Sequence, residues 1–221
     1  MGKSIIVPAY NEEAGIVEVI NRCRAVCQAG DEIVVVDDGS KDKTAELAQK
    51  AGARVVKLEK NRGKTRALRE GFSVAKNEVI VTIDADCTYP PEAIPEMVKA
   101  LDGADLVVGT RFRKMWPRGL PLHRVLANKV GALVTSIILM RKITDVTTGL
   151  RAFRKQLMKE IPIHARGLDF EAELTARAIT CGYRYKEVPI ETDERKGVST
   201  LRFFRHTGMF FAAVLRGRFG R

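Results

Sequence analysis

Short apolar runs alternate with longer stretches of mixed polarity along the first half of the chain. The runs are rich in β-branched residues, which is typical of strands buried on both faces of a sheet. The stretches between them carry apolar residues at helical spacing. This alternation predicts an α/β fold with a parallel, doubly wound sheet. The predicted strands cover residues 3–8, 33–36, 54–58, 79–83 and 104–109.

Helices are predicted between these strands. The first opens at Tyr10 and closes at Gly30, and three more cover residues 44–51, 61–75 and 91–101. Right-handed crossovers place the carboxyl ends of parallel strands on one edge of the sheet. We therefore expect a single cleft, surrounded by residues 8–12, 37–40, 84–88 and 109–111.

The pattern changes after residue 109. A predicted helix over residues 122–140 carries a wide apolar stripe, and a turn and strand over 145–154 follow it. A helix over 168–181 and a strand over 184–190 come next. We expect one domain over residues 1–195, with halves at about 1–110 and about 111–195, and a basic amphipathic segment over residues 196–221.

The charge of the chain indicates an anionic partner. A formal net charge of +11 over 221 residues suits nucleic acid, a phospholipid surface or a phosphorylated substrate. Residues 195–221 contain no acid but seven Lys or Arg residues and five phenylalanines. That composition is typical of a segment at a membrane surface, and equally of a docked helix with a solvated basic tail. Residues 106–144 also lack acids and contain eight cations: Arg111, Arg113, Lys114, Arg118, Arg124, Lys129, Arg141 and Lys142.

The four cysteines form no C-x-x-C pair, and no histidine lies at metal-ligand spacing from them. They are predicted to be reduced thiols of a cytosolic protein, packed as small core residues. The longest uncharged apolar run, residues 130–140, is shorter than the roughly 20 residues that cross a bilayer. We expect a cytoplasmic protein, peripheral at the cytoplasmic face of the membrane and without a transmembrane segment.

Two carboxylates, Asp84 and Asp86, directly follow the fourth predicted strand. Open α/β sheets bind ligands beyond the carboxyl ends of their strands, and Mg²⁺ or Mn²⁺ commonly bridges carboxylate oxygens to substrate phosphate. The pair is therefore a candidate metal site. Two solvated aspartates at the start of a loop would give the same pattern.

Other predicted strand ends offer groups that suit a nucleotide. Asp37 can accept hydrogen bonds from a base or a ribose, whereas Asp38 also fits a helix N-cap. Arg62, Gly63 and Lys64 supply backbone N–H groups and positive charge for a diphosphate at a helix N-terminus. The chain has neither G-x-G-x-x-G nor G-x₄-G-K-S/T, which argues against a dinucleotide dehydrogenase and a P-loop enzyme.

Five motifs lie in order along residues 5–111: Ile5-Ile-Val-Pro-Ala-Tyr-Asn-Glu-Glu13, Val35-Val-Asp-Asp-Gly-Ser-Lys-Asp42, Asn61-Arg-Gly-Lys64, Asp84-Ala-Asp86 with Pro90-Pro-Glu92, and Val108-Gly-Thr-Arg111. In order and spacing they resemble the motifs of family 2 glycosyltransferases of the GT-A fold, most closely the dolichyl-phosphate mannose synthase branch. The resemblance covers roughly residues 3–200. It implies a Rossmann-like, mostly parallel sheet with flanking helices, and amphipathic interface helices toward the C-terminus.

The resemblance implies that residues of the first half bind a nucleotide sugar. Asp84 and Asp86 would hold Mg²⁺ or Mn²⁺ against the donor diphosphate, so that the metal and Lys64 neutralise the leaving group. Enzymes of this branch often have Gln two residues after the second aspartate as an extra contact, and here Thr88 takes that place. The other expected donor-site residues are Pro8, Tyr10, Glu12 and Asp37.

The implied reaction is an inverting transfer of a hexose, with GDP-mannose as the expected donor, to a polyprenyl or dolichyl phosphate. A lipid phosphate is already an anion, so no general base is required. Arg111 is expected to act in catalysis and to bind the acceptor phosphate bidentately. Further acceptor-phosphate ligands are expected at Arg124, Arg195, Lys196 and Arg202, since Ser199-Thr200 stands where the family usually continues Ser-Lys.

Three alternatives stay open at this point. UDP-glucose enzymes share these motifs, so the donor is not settled. A family member that acts on a sugar hydroxyl would need a base, for which Asp145, Asp169 and Glu171 are candidates. Net charge alone supports a non-catalytic nucleic-acid-binding protein. We expect no nucleic-acid partner, because the tail aromatics group with aliphatic residues instead of forming a base-stacking surface.

Overall fold

The computed structural model describes residues 2–112, 122–197 and 203–220. Its strands are β1 (Lys3–Ala9), β2 (Glu32–Asp37), β3 (Arg54–Lys57), β4 (Val79–Thr82), β5 (Leu106–Thr110), β6 (Arg151–Arg154) and β7 (Tyr185–Pro189). Its helices are α1 (Ile16–Ala25), α2 (Thr44–Lys50), α3 (Lys64–Val74), α4 (Ile94–Ala100), α5 (Leu122–Leu139), α6 (Lys155–Glu160), α7 (Phe170–Thr180) and α8 (Phe203–Phe219). A short 3₁₀ helix, Pro91–Ala93, precedes α4.

Within these residues the strands form one sheet in the order β3-β2-β1-β4-β6-β5-β7. β1 pairs in parallel with β2 and β4, β2 with β3, and β5 with β7. The predicted, mostly parallel sheet is thus confirmed. β6 runs antiparallel between β4 and β5, a direction that the sequence pattern does not predict. The loop before β6 therefore reaches the same sheet edge as the carboxyl ends of the parallel strands.

Apolar side chains fill both faces of this sheet, as the unbroken apolar runs predict. On one face α1 and α4 pack through Ile16 and Met97. On the other face Phe72 of α3 packs against Phe170 of α7. The ring centroid of Phe72 also lies 5.6 Å from that of Phe153, in an edge-to-face contact. Full burial of each such side chain contributes roughly 1.5–3 kcal/mol to the stability of the folded state. The sheet edge therefore stands on a packed core.

The first helix begins at Ile16 and not at residue 10. Asn11 has φ 54, and its backbone N–H donates to Ser40 Oγ at 2.9 Å. The backbone N–H of Glu12 donates to Thr44 Oγ1, also at 2.9 Å. Because these side chains take N–H groups that a helix would orient along its axis, residues 10–15 form a loop tied to the loop after β2.

Other element boundaries also differ from the prediction. The expected close of the first helix at Gly30 is wrong, because α1 ends at Ala25. The helix expected from residue 61 begins at Lys64, after Gly63 with φ 90. The sequence pattern does not predict α6, whose single short run is too brief to show helical periodicity.

The expectation that all four cysteines are core residues holds for two of them. Cys23 and Cys87 are buried, Cys27 is half-buried, and Cys181 is exposed just after α7. All four are free thiols. Burial raises the pKa of Cys23 to about 12 and that of Cys87 to about 11, so both stay protonated near neutral pH.

Helix α5 has two apolar faces. Val125, Ala132 and Leu139 are buried against the body. A second set of apolar residues, which we call the α5 stripe, is between 54% and 88% exposed, and it is formed by Leu122, Leu126, Val130, Leu133 and Ile137 of α5 and by Met140 directly after it. Within the described parts of the chain, no helix is both long and apolar enough to cross a membrane.

Helix α8 packs against α7. Ala213 and Val214 are buried, and Arg216 ion-pairs with Asp169 at 2.6 Å and with Glu173 at 3.0 Å. Of the two alternatives for the C-terminal segment, the described side chains of α8 thus favour a docked helix. Phe219 is exposed, so part of the apolar surface of α8 faces solvent.

Candidate functional site

The loop that carries Asp84 and Asp86 leaves the sheet directly after β4. Buried Ile83 leads into it, and the Thr88 backbone N–H donates to Asp86 Oδ1 at 3.0 Å. Cys87 has φ 63, which closes the loop as a tight turn. The two carboxylates therefore project from one short, well-anchored loop at the sheet edge.

Two glycines pack directly against this loop. A Cβ at Gly149 would lie 2.6 Å from Asp84 Oδ1, and one at Gly15 would lie 2.7 Å from the carbonyl oxygen of Ala85. Thr82 Oγ1 donates to the Gly149 carbonyl at 2.8 Å, which fixes that backbone against the end of β4. Only glycine leaves room for the Asp84 carboxylate here, so the loop before β6 helps to set its position.

Lys64 connects Asp84 to a second acid. Its Nζ lies 2.6 Å from Asp84 Oδ1 and 2.6 Å from Glu171 Oε1. Burial works against the charge of Lys64, but Asp84 and Glu171 outweigh it and raise its pKa above the ordinary value. A residue predicted to bind the donor diphosphate thus contacts a predicted metal ligand and stays positively charged.

Arg195 occupies the corresponding position beside Asp86. Its Nη1 ion-pairs with Asp86, and its Nη2 lies 3.1 Å from Glu12 Oε1. The Lys196 backbone N–H donates to the Asp86 carbonyl at 2.8 Å, while the Lys196 side chain ion-pairs with Glu18. The structure therefore places Arg195, an expected acceptor ligand, among the expected donor-site carboxylates.

Glu12 is an acid whose pKa is raised above its ordinary value. Burial raises its pKa to about 7, against the opposing charge of Arg195 and with added repulsion from Asp86 and Asp84. Its Oε2 is buried and has no hydrogen-bond partner among the described residues. An unpaired buried oxygen of this kind suits a donor group on a ligand.

The predicted nucleotide side of the cleft is built from the ends of β1 and β2. Asp37 is fully buried, and its Oδ1 accepts a hydrogen bond from the Ser40 N–H at 3.1 Å. Its Oδ2 has no partner among the described residues, which costs free energy unless a ligand supplies a donor. Pro8 and Tyr10 are half-buried at the end of β1, beside it.

Asp38 changes the expectation for the start of α3. Its carboxylate accepts hydrogen bonds from the backbone N–H groups of Arg62 at 2.9 Å and Gly63 at 2.7 Å. The backbone groups expected to bind a diphosphate are therefore taken by a protein carboxylate. Asp38 thus fixes the loop before α3, and the helix N-cap that one interpretation expected of it is not formed, because within the described part of the chain neither α2 nor α3 has a side-chain cap hydrogen bond.

Arg111 is held in a buried ion pair. Its Nε lies 2.6 Å from Asp145 Oδ2, and its Nη2 donates to Asp145 Oδ1 and Thr147 Oγ1, each at 2.8 Å. Burial opposes its charge, and Asp145 raises its pKa beyond the ordinary value. The bidentate geometry expected toward an acceptor phosphate is made to Asp145 in this structure.

The three candidate bases all face cations. Asp145 pairs with Arg111, Asp169 with Arg216 at 2.6 Å, and Glu171 with Lys64 at 2.6 Å. Each of these carboxylates is therefore already engaged by a protein cation. Arg202 and the side chain of Arg124 lie outside the described residues, so their assignment to the acceptor phosphate stays a prediction.

The residues present fit a metal ion whose remaining ligands come from the substrate and from water. Among the described residues, no group of three or more His, Cys, Asp or Glu side chains is placed to hold an ion. Mg²⁺ commonly binds through one or two carboxylates, substrate phosphates and water. Asp84 and Asp86 match that pattern, and an ion there would compete with Lys64 and Arg195 for their oxygens.

Comparison with known proteins identifies related sequences. The sequence profile described as "Glycosyl transferase family 2" matches residues 4–162. A dolichyl-phosphate hexose transferase of Haloferax volcanii is 35% identical over 199 residues, which cover 90% of this chain and 86% of that protein. A dolichol-phosphate mannosyltransferase of Pyrococcus furiosus is 34% identical over 183 residues, 79% of this chain and 52% of that protein. The chain thus spans about half the length of the Pyrococcus protein.

A solved structure with the same architecture is that of glucosyl-3-phosphoglycerate synthase from Mycobacterium tuberculosis, in complex with Mn²⁺, uridine diphosphate and glucosyl-3-phosphoglycerate. It superimposes with a TM-score of 0.82 at 22% identity, over 98% of this chain and 79% of that one. At this identity the likeness concerns the fold alone, and it confirms the predicted GT-A fold.

Proposed function

The chain belongs to glycosyltransferase family 2, and from that premise we propose that it transfers a hexose from a nucleotide sugar to a polyprenyl phosphate at a membrane surface. Both relatives named above act on dolichyl or dolichol phosphate by name, one with mannose and one with a hexose. The shared element is the lipid phosphate. GDP-mannose is the proposed donor, and UDP-glucose is the alternative that the experiment below distinguishes.

The observation that carries this proposal is the pairing of all three candidate bases with cations. A hydroxyl acceptor must lose a proton as it attacks, which requires a free base within reach. Asp145, Asp169 and Glu171 are each ion-paired with a protein cation instead. A phosphate acceptor arrives as an anion and needs no base, so this site suits a lipid phosphate better than a hydroxyl.

On the donor side, each named residue has a chemical task. Asp84 and Asp86 would hold a Mg²⁺ or Mn²⁺ ion, which would supply Lewis-acid stabilisation of the diphosphate when bound. Lys64, 2.6 Å from Asp84, adds a fixed positive charge near the departing nucleoside diphosphate. Asp37 offers its unpaired Oδ2 to a hydroxyl or N–H of the nucleoside, and Glu12 offers its Oε2 in the same way.

On the acceptor side, positive charge and apolar surface lie together. Arg195 and Lys196 approach the cleft from the segment after β7, and Arg111 lies at the end of β5. The α5 stripe exposes six large apolar residues within a region that contains no acid between residues 106 and 144. Such a surface suits insertion among lipid tails beside anionic headgroups.

A thermal-shift panel tests the donor. Nucleotide sugars that bind the native state raise its melting temperature by mass action. With Mn²⁺ present, we expect GDP-mannose to raise the melting temperature more than UDP-glucose, and the Asp86→Ala variant to lose most of that shift. A larger shift with UDP-glucose would identify UDP-glucose as the donor in place of GDP-mannose. No shift with any nucleotide sugar would contradict the proposed function.

A further inference from the structure

Glu171 is a buried acid for which the proposed reaction has no use as a base. It lies in the first turn of α7 and is 4% exposed. Its Oε1 is 2.6 Å from Lys64 Nζ, and the same Nζ is 2.6 Å from Asp84 Oδ1. One ammonium group is therefore shared between an expected metal ligand and a carboxylate behind it.

A second buried cation, Arg151, is linked to Glu171 through Thr175. Arg151 is fully buried, and its Nη1 donates at 2.7 Å to Thr175 Oγ1, which in turn donates to the Glu171 carbonyl at 3.0 Å. Burial lowers the pKa of Arg151, and Glu171 is the foremost charge that opposes this effect. Glu171 thus offsets positive charge from two buried cations, and a neutral residue there would leave Asp84 as the ion-pair partner of Lys64 among the described residues.

Sharing Lys64 has a consequence for Asp84. A lysine paired with Asp84 alone would place its whole charge against any divalent ion that uses the same carboxylate. With Glu171 present, part of that charge is neutralised, and Lys64 is held by two partners from different elements. Asp84 then keeps enough negative potential to bind a cation although an ammonium group touches it.

We propose that Glu171 is a positioning residue that holds Lys64 between two carboxylates and so keeps Asp84 competent to bind a divalent cation. The inference rests on the proposed function, because it assumes a metal at Asp84 and Asp86. Glu171 touches neither the metal nor the substrate in this account. It acts through Lys64.

Loss of the negative charge at Glu171 has two effects of opposite sign. The affinity of the cleft for a divalent cation falls, because Lys64 competes more strongly for Asp84. The affinity for a nucleoside diphosphate without metal rises, because the cleft has become more positive. Damage to the structure would weaken both interactions, so the opposite signs distinguish positioning from a structural role.

Binding of Mn²⁺ in the presence of GDP, and of GDP in EDTA, is measured calorimetrically for wild-type protein and Glu171→Gln. We expect Mn²⁺ to bind about tenfold more weakly to the variant, and metal-free GDP to bind more tightly. Glu173→Gln is the matched control. It removes a buried charge from the same helix, but Glu173 pairs with Arg177 at 3.1 Å and Arg216 at 3.0 Å. Both affinities should stay unchanged there.

A double variant tests whether the effect passes through Lys64. In a Lys64→Gln background, Glu171→Gln should leave Mn²⁺ affinity unchanged, because no ammonium group remains to be shared. If melting shows that Glu171→Gln does not fold, Glu171→Asp retains the charge at a greater distance, and a smaller loss of Mn²⁺ affinity is expected. Equal weakening of both ligands by Glu171→Gln, or no change by either variant, would overturn the inference. Wild-type protein that binds neither Mn²⁺ nor GDP would instead contradict the proposed function.

Discussion

Each expected metal ligand already has a cationic partner at the scale of single residues. Lys64 contacts Asp84, and Arg195 contacts Asp86. The two cations differ in how they are held. Lys64 is anchored on its far side by buried Glu171 and its side chain is 18% exposed, whereas Arg195 also pairs with Glu12 but its side chain is 31% exposed. We infer that an incoming ion displaces Arg195 more readily than Lys64.

Gly149 provides a residue-scale test of the Asp84 position. A Cβ there would lie within 2.7 Å of the Asp84 carboxylate atoms, so Gly149→Ala must move that side chain. Because small displacements of reacting groups are costly, we expect transfer activity to fall at least about tenfold while the protein still melts cooperatively. Gly103→Ala is the control, since a Cβ there has no described neighbour within 4 Å. Full activity of Gly149→Ala would show that Asp84 is not constrained in this way.

Glu12 predicts a pH dependence of stability. Its pKa rises from about 4.5 to about 7 on folding, so the folded state binds the proton more tightly. The contribution of Glu12 to the free energy of unfolding therefore falls as pH rises from about 4.5 to 7. In EDTA, we expect Glu12→Gln to gain on the order of 2 kcal/mol relative to wild type between pH 5 and pH 8. Denaturant unfolding at both pH values measures it.

The comparison variant for that experiment is Glu96→Gln, which removes an exposed acid on α4. Its stability should differ from that of wild type by the same small amount at both pH values. A pH-independent difference for Glu12→Gln would mean that Glu12 titrates near its ordinary pKa.

Sequence motifs indicated the acids of the site but not their partners. Asp84, Asp86 and Asp37 follow strand-like runs, so their placement at the sheet edge could be predicted from the pattern. The contacts of Gly149 with Asp84, of Asp38 with Gly63 and of Arg195 with Asp86 join segments far apart in sequence. No local pattern records such contacts, because they depend on how the loops pack.

At the scale of elements, apolar runs predicted the parallel strands well because burial on both faces leaves a clear signal. They did not predict the direction of β6, because a short apolar run has the same pattern in a parallel and in an antiparallel strand. The late start of α1 escaped prediction for a different reason. Ser40 in the loop after β2 and Thr44 at the start of α2 hold residues 10–15 out of the helix.

The α5 stripe gives the element-scale prediction. Leu133→Glu and Ile137→Glu each place a carboxylate on a face that is more than 60% exposed at these positions. We expect both variants to lose most of their binding to vesicles that contain phosphatidylglycerol, with little change in melting temperature. Co-sedimentation measures the bound fraction.

Val17→Glu is the matched control for the vesicle experiment. Val17 is also an exposed apolar residue, but it lies on α1, which packs on the other face of the sheet. It should bind vesicles as wild type does. If the α5 variants co-sediment unchanged, the stripe does not contact the membrane.

At the scale of the whole molecule, the acidic and basic residues of interest lie in different parts of the sequence. The donor half gathers Asp37, Asp84 and Asp86 at one sheet edge, whereas residues 106–144 carry cations and no acids. A polyprenyl phosphate combines an anionic head with an apolar tail, so the proposed acceptor would suit both the cations and the α5 stripe. The proposed acceptor would thus account for an anionic partner of a chain with a net charge of +11.

Transfer of labelled mannose from GDP-mannose to a polyprenyl phosphate, in the presence of Mn²⁺, tests the central claim most directly. We predict that wild-type protein moves the label into the organic phase, and that Asp86→Ala, although folded, does so at least about a hundredfold more slowly. Label that stays in the aqueous phase with wild-type protein, or undiminished transfer by Asp86→Ala in EDTA, would contradict the account.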